Sequence, residues 1–219
     1  MGRTLSHREA REFYDDFGAR QDSQAFYEDR ATGLIIANAA FGEARSVFEF
    51  GCGTGRFAET LLEDHLPVDA RYTGVDVSST MIALANGRLD RFGPRVSLAQ
   101  TDGRPELDQP VSTHDRFVSN FVFDLLDDHD AALVVMEAHR LLAPQGLLCL
   151  TSLTSEAGGV GGVTSRVWSA LHAAAPKLVG GCRPIDVRAL IDPNLWDVVF
   201  RDFVTPFGLP AEALIARRK

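Results

Sequence analysis

The stretch Val47-Phe48-Glu49-Phe50-Gly51-Cys52-Gly53-Thr54-Gly55-Arg56-Phe57 constrains this chain more than any other. A short run of buried character enters three glycines at alternate positions and then an amphipathic segment. That order reads as a strand turning through bare backbone into a helix. Without a Cβ, glycine lets the chain bend sharply and come close to a ligand. In an open α/β sheet such a loop lies at the carboxyl end of its strand, where the ligand crevice forms.

From Ser46 onward, short apolar runs closed by Gly or Asp alternate with amphipathic segments, the pattern of βαβ units. Strands are predicted near 46–50, 71–75, 95–100, 116–121 and 147–153, and helices near 55–66, 79–90 and 130–142. Asp130 is expected to cap the last helix, and Pro144 with Gly146 to end it. Residues 101–115, rich in Pro, Asp and Thr, read as loop. After the fifth strand a glycine-rich connection (Gly158, Gly159, Gly161, Gly162) leads to a helical stretch with Val167, Trp168, Leu171 and His172. Two last strands, near 195–204 and 210–216, are joined by a link containing Pro206 and Gly208. Parallel neighbours need a long crossover, so these two must be antiparallel if they pair.

The first forty residues read as helices. Ser6 and Glu9 form a capping box, Ala10, Phe13, Tyr14 and Phe17 recur at helical spacing, and Gly18 ends the first helix. Phe26, Leu34, Ile35, Ile36 and Phe41 mark a second apolar stretch. The expectation is one domain over 1–219, with a helical cap at 1–42 and an α/β core at 43–219.

Composition narrows the classes of function. A chain of 219 residues, 45% of them hydrophobic, buries one substantial core. No apolar run approaches the roughly 20 residues of a membrane span, and the N-terminus lacks an apolar signal core. Three cysteines without CxxC spacing (Cys52, Cys149, Cys182) suggest neither a disulfide framework nor a metal cluster, and reduced thiols fit a cytoplasmic address. A net charge of −8 opposes a polyanionic partner, so no nucleic acid is expected.

Two further strand ends bear on a nucleoside. In Tyr72-Thr73-Gly74-Val75-Asp76-Val77-Ser78, Asp76 closes the second strand, and Ser78 or Ser79 can cap the next helix. A carboxylate there can accept bonds from vicinal ribose hydroxyls, which suits NAD and S-adenosylmethionine alike. Asp102, in Ala99-Gln100-Thr101-Asp102-Gly103, could accept from an adenine amine. The glycine spacing separates the two nucleosides: a dinucleotide fingerprint needs Gly or Ala where this chain has Arg56.

At these residues the chain resembles the class I S-adenosylmethionine-dependent methyltransferases, and is loosely similar to the quinone-biosynthesis and small-molecule members. Glu49 through Gly55 resembles motif I, Asp76 the acid of motif II and Asp102 the acid of the third motif. Ser119-Asn120-Phe121 matches the fourth-strand position, and Arg140 through Gly146 the turn before strand five, with Gln145 where a glycine is usual. The resemblance implies a Rossmann-like α/β fold: seven strands flanked by helices, mostly parallel, with an antiparallel seventh strand beside the fifth and an N-terminal helical lid. It implies S-adenosylmethionine as cofactor and S-adenosylhomocysteine as product. The cofactor site would comprise Glu49, Gly51, Cys52, Gly53, Gly55, Asp76, Val77, Met81, Asp102, Gly103, Asn120 and Phe121.

The expected partner is a small-molecule acceptor. Ser119-Asn120-Phe121-Val122-Phe123 lacks the Asn/Asp-Pro-Pro-Tyr/Phe run of adenine or glutamine amino-methylating enzymes and the Pro-Cys nucleophile of cytosine-C5 enzymes. His172 and Tyr14 are the favoured catalytic candidates, with His114, Asp124 and His129 as other bases, Tyr27 on the lid and Arg183 as an anion contact. No third cysteine is expected to converge with Cys52 and Cys182, which disfavours arsenic chemistry. An NAD(P)-dependent oxidoreductase and a non-catalytic cofactor-binding or scaffold protein of the same fold are the alternatives.

Overall fold

Alternating burial along the first strand decides which layer each helix occupies. In the computed structural model, which describes residues 4–155 and 182–219, strand β1 (Ser46–Phe50) sends Phe48 and Phe50 to one face and Val47 to the other. Successive side chains of a strand point to opposite faces, so a strand buried on both sides needs helices on both. Phe48 and Phe50 pack with Phe117, Leu148 and the inner face of α5 (Asp128–Leu141). Val47 packs with Val118, Cys149 and Ile215 against Ile35 of α2 (Ala25–Asn38) and Leu89 of α4 (Ser79–Leu89).

The remaining strands are β2 (Arg71–Asp76), β3 (Val96–Gln100), β4 (His114–Asn120), β5 (Leu142–Leu153), β6 (Trp196–Val204) and β7 (Ala211–Arg218). They form one seven-stranded sheet in the order β3-β2-β1-β4-β5-β7-β6. The β1–β2, β1–β4, β2–β3 and β4–β5 pairs are parallel, and β7 runs antiparallel to both β5 and β6. The chain winds outward from β1 in one direction and then, through β4, in the other. The crevice at that reversal opens at the carboxyl ends of β1 and β4.

Two short helices complete the frame: α1 (His7–Phe17), opened by the Ser6–Glu9 capping box and ended at Gly18, and α3 (Arg56–Thr60), continued by one wider turn over Leu61–His65. Each predicted strand is present, with three local corrections. Asp127, not Asp130, caps α5, its side chain accepting from the Asp130 amide. His114 opens β4 and does not lie in a loop. The turn that Pro144 and Gly146 were expected to make is a bulge inside β5, with Gln145 in the left-handed region at φ 67°. No described helix is long and apolar enough to cross a membrane. His172, Trp168 and the glycine-rich 158–162 connection lie outside the described residues.

Candidate active site

The glycine loop leaves β1 at Gly51, whose backbone takes φ 79°, and its next amides fold back on β2: Gly51 and Cys52 N–H both donate to the Val75 carbonyl, at 2.8 and 3.0 Å. A Cβ on Gly51 would stand 2.3 Å from Val122 Cγ2, so only bare backbone fits there. Gly53, at φ 52°, has nothing within 4 Å of where its Cβ would be. That open side faces the crevice.

Asp76, at the end of β2, ties this loop to the next. Its Oδ2 accepts from the Gly53 amide and its Oδ1 from the Ser78 amide, both at 2.9 Å. Burial pushes the Asp76 carboxyl up, and these two amides with that of Val77 oppose the push. Held from behind, each oxygen keeps a lone pair for a donor in the crevice, the geometry a ribose diol requires.

A cavity of about 420 Å³ runs along the strand ends, and Asp76, Val77, Met81, Gly103, Asn120, Phe121 and Tyr14 line it with Gly51 and Gly53. A second space of about 300 Å³ adjoins it, lined by Glu49, Cys52, Thr54 and Arg56. The two share Gln21, Glu28, Gly51, Gly53 and Asn120. Glu49 is buried beside the smaller space. It accepts from the Tyr72 hydroxyl and, at 3.3 Å, from Asn120 Nδ2, and burial pushes it up to about 7 against those two bonds. Thr151 Oγ1 donates to Asn120 Oδ1 at 3.0 Å and so fixes the amide between the two spaces. Phe121 follows at φ 55°, a left-handed conformation for a bulky residue, and its ring meets Tyr27 edge-on at 5.6 Å. Backbone strain of this kind concentrates at binding sites.

Helix α1 roofs the larger cavity and is fastened to the loops beneath it. His7 Nε2 lies 2.8 Å from Asp130 Oδ2. Arg11 donates to the carbonyls of Val77 and Thr101, at 3.1 and 3.2 Å. Asp15 Oδ1 accepts from Ser78 Oγ at 2.6 Å and from the Thr80 amide at 3.1 Å. Desolvation raises Asp15, but these bonds outweigh it and leave the carboxyl below its usual value. Gly103, at φ 89°, lets the roof close, since a Cβ there would come within 3.0 Å of His7.

Tyr14, Tyr27, Phe121, Glu28 and Cys182 form a further part of the lining, with Tyr14 near enough to Cys182, Tyr27, Asp76 and Glu28 to feel their charges. Burial raises the Tyr14 and Cys182 acids well above their usual values and lifts Glu28 to about 7. Phe207, Phe26, Tyr27 and Phe121 form a run of edge-on rings, at 5.2, 5.2 and 5.6 Å, from the surface to the cavity wall.

Several sequence candidates lie elsewhere. Asp102 is exposed and turns to its own loop, accepting from the Arg104 amide at 3.0 Å, so it does not line the cavity. Gly55 packs a helix: a Cβ on it would meet Ala85 Cβ and Leu89 Cδ1 at 3.1 Å. His114 sits at the opposite end of β4, within 2.8 Å of Ser46 Oγ, and burial lowers it. His129 is exposed on the first turn of α5. Asp124 is fully buried behind the cavity wall. Arg183 spends its guanidinium on the Leu126 carbonyl and Asp128, at 2.9 and 2.6 Å. Conversely, Gln21, Glu28 and His7 line the cavity without having been singled out.

Comparison with known proteins places this geometry. Residues 47–146 match the methyltransferase domain family. An uncharacterized methyltransferase of Oceanobacillus iheyensis is 27% identical over 153 residues, 63% of this chain and 65% of that protein. A trans-aconitate 2-methyltransferase of Azoarcus sp. is 33% identical over 121 residues, 55% of this chain and 44% of that one. The chain thus spans less than two thirds of the length of these curated relatives. Among solved structures, the N-methyltransferase NodS of Bradyrhizobium japonicum, in complex with S-adenosylhomocysteine, superposes with a TM-score of 0.71 at 21% identity, covering 95% of this chain and 98% of that one. The [4+2]-cyclase SpnF superposes at 0.73 with 16% identity, covering 99% and 98%. The stretch similar to the methyltransferase domain family carries the glycine loop and Asp76, and β7, antiparallel between β5 and β6, completes a fold shared over nearly the whole chain with these solved structures.

Proposed function

We propose that this chain transfers a methyl group from S-adenosylmethionine to a small-molecule acceptor. The observation that carries the reading is Asp76, gripped from behind by the Gly53 and Ser78 amides at the floor of one continuous cavity whose lining includes Tyr14 and Tyr27. Asp76, Val77, Met81 and Gly103 would hold the adenosine, and Gly51, Gly53 and Asn120 the methionine part. Tyr14, Tyr27, Phe121 and Cys182 would border the acceptor.

When bound, the cofactor supplies an electrophilic methyl on a positively charged sulfur. Methyl transfer is an in-line displacement, so the chain's main task is to hold the acceptor in line and to exclude water. Helix α1 does the second: His7, Arg11 and Asp15 fasten it over the cofactor loops. On this reading α1 is a lid that must lift for exchange and that closes on binding. Tyr14 then presents a neutral phenol to the acceptor, because burial keeps its proton on.

The oxidoreductase alternative lacks support at Arg56, whose guanidinium reaches Asp29 at 2.5 Å where a dinucleotide fingerprint needs a small residue. Incubating the protein with methyl-labelled S-adenosylmethionine and a panel of small alcohols, acids and amines tests the reading. Label in any acceptor supports it and excludes a scaffold role. No label in any, with cofactor bound, contradicts it.

A further inference from the structure

We infer that the acceptor end of the cavity is built for a protonated amine, held by Glu28, which takes its proton before the methyl group moves. The inference rests on the methyl-transfer reading above and adds the class of acceptor and the residue that receives it.

Charge selects the class. No Lys or Arg is among the described residues lining the larger cavity, whereas five carboxylates are. Four of the five have other work. Glu9 closes the α1 capping box, Asp76 ties the loops, Asp127 caps α5 and Asp130 meets His7. Glu28 is the one at the acceptor end, its side chain only 13% exposed and opening on both spaces. A carboxylate or phosphate acceptor in the larger cavity would meet no Lys or Arg among the described lining residues, and the Arg56 guanidinium in the adjoining space is already paired with Asp29 and Glu28. An ammonium would find a carboxylate and the aromatic rings of Tyr14, Tyr27 and Phe121 in the same lining, a residue type that attracts cations.

The groups facing Glu28 do not hold it charged. Gln21 Nε2 donates to Oε1 at 3.3 Å, and Tyr27 is also bonded to the carboxyl. Arg56 reaches Oε2 only at 3.4 Å, being held at 2.5 Å by Asp29, and desolvation outweighs it. Glu28 therefore sits at about 7 and trades a proton near neutrality. A second observation points the same way. Asp124, fully buried and close enough to raise Cys182 and Tyr27, accepts at Oδ2 from the Leu153 amide at 2.9 Å and has Oδ1 without a hydrogen-bond partner among the described residues. An ammonium held by Glu28 would also lie near this carboxyl, on which Glu28 and Arg183 both act.

In the step itself, the ammonium gives a proton to a Glu28 oxygen. The freed nitrogen lone pair forms the N–C bond as the bond from methyl to sulfur breaks, its electron pair staying on sulfur. The methylated amine leaves with the positive charge that the sulfur carried.

Calorimetric titration of the full chain saturated with S-adenosylhomocysteine tests this, using matched probes: propylamine against propionate, and phenethylamine against hydrocinnamate. We expect at least one amine to bind about tenfold or more tighter than its matched acid, the scale of one charge-assisted contact. The preference should weaken from pH 8 to pH 6 as Glu28 is protonated. Glu28→Gln should abolish the preference and its pH dependence while S-adenosylhomocysteine affinity stays within about threefold, and Glu28→Asp should restore part of it. An acid binding as tightly as its amine, no amine binding at all, or a preference that survives Glu28→Gln would overturn the inference. Loss of S-adenosylhomocysteine binding to the unmutated chain would instead overturn the methyl-transfer reading beneath it.

Discussion

The Gly53 amide donates to Asp76 Oδ2 at 2.9 Å, so the carboxylate that ends β2 also fixes the shape of the glycine loop after β1. Asp76→Ala should therefore weaken S-adenosylhomocysteine binding by about 1–3 kcal/mol, the scale of hydrogen bonds to a charged group. Equilibrium dialysis checks this, and affinity unchanged from the parent would remove Asp76 from the site.

Gly51 combines φ 79° with Val122 Cγ2 at 2.3 Å from a notional Cβ. Gly51→Ala should lower stability by about 1–2 kcal/mol for the left-handed backbone alone, with the clash in addition. Pairing it with Val122→Ala should recover the steric part and leave the backbone part. Denaturant unfolding of the single and double variants separates the two, and full recovery in the double variant would show that the backbone conformation is unimportant.

Asp15 fastens α1 to Ser78 and Thr80. If α1 is a lid, Asp15→Ala should speed S-adenosylhomocysteine release severalfold, as seen by stopped-flow dilution. Because the folded-state carboxyl lies below its usual value, the contact is complete above that value and is lost as pH falls through the lowered one. Release from the parent should accordingly quicken in acid and that of the variant should not. Equal release from both at every pH would argue against the lid.

Glu49 stands at about 7 in the fold against an ordinary 4.5. Between those values the folded chain holds more protons than the unfolded one, so this group makes stability fall as pH rises from about 4.5 to about 7. Glu49→Gln should flatten that part of the profile in thermal unfolding measured across pH. A slope identical to the parent's would mean that the carboxyl is not desolvated.

Gln145 occupies φ 67° in the bulge of β5, a backbone conformation that favours glycine. Gln145→Gly should stabilise the chain by about 0.5–1 kcal/mol, the left-handed penalty less the entropy glycine loses on folding. A lower melting temperature would show that the side chain makes a contact worth more than the strain.

The frame was legible because its signals are local. Glycines at 51, 53 and 55, Asp at 76 and the short link at 206–208 each punctuate a short apolar run, and the strands fall within a few residues of where those marks put them. What was not legible depends on where a side chain turns once the frame is built. Asp102 ends up exposed because the turn at Gly103 brings the Arg104 amide to donate to its Oδ1. Gly55 resembles its neighbours in sequence, yet faces Ala85 and Leu89 of α4 rather than the crevice. Glu28 reads like any helical acid until α2 docks beside Gln21 and Arg56 and turns it inward.

The claim on which the rest depends is that the crevice between Asp76 and the glycine loop accepts a sulfur-bearing adenosine. Parallel calorimetric titrations of the unmodified chain with S-adenosylhomocysteine and with NADH test it most directly. The account predicts saturable one-to-one binding of S-adenosylhomocysteine and no heat with NADH. Binding of NADH with no response to S-adenosylhomocysteine would contradict it.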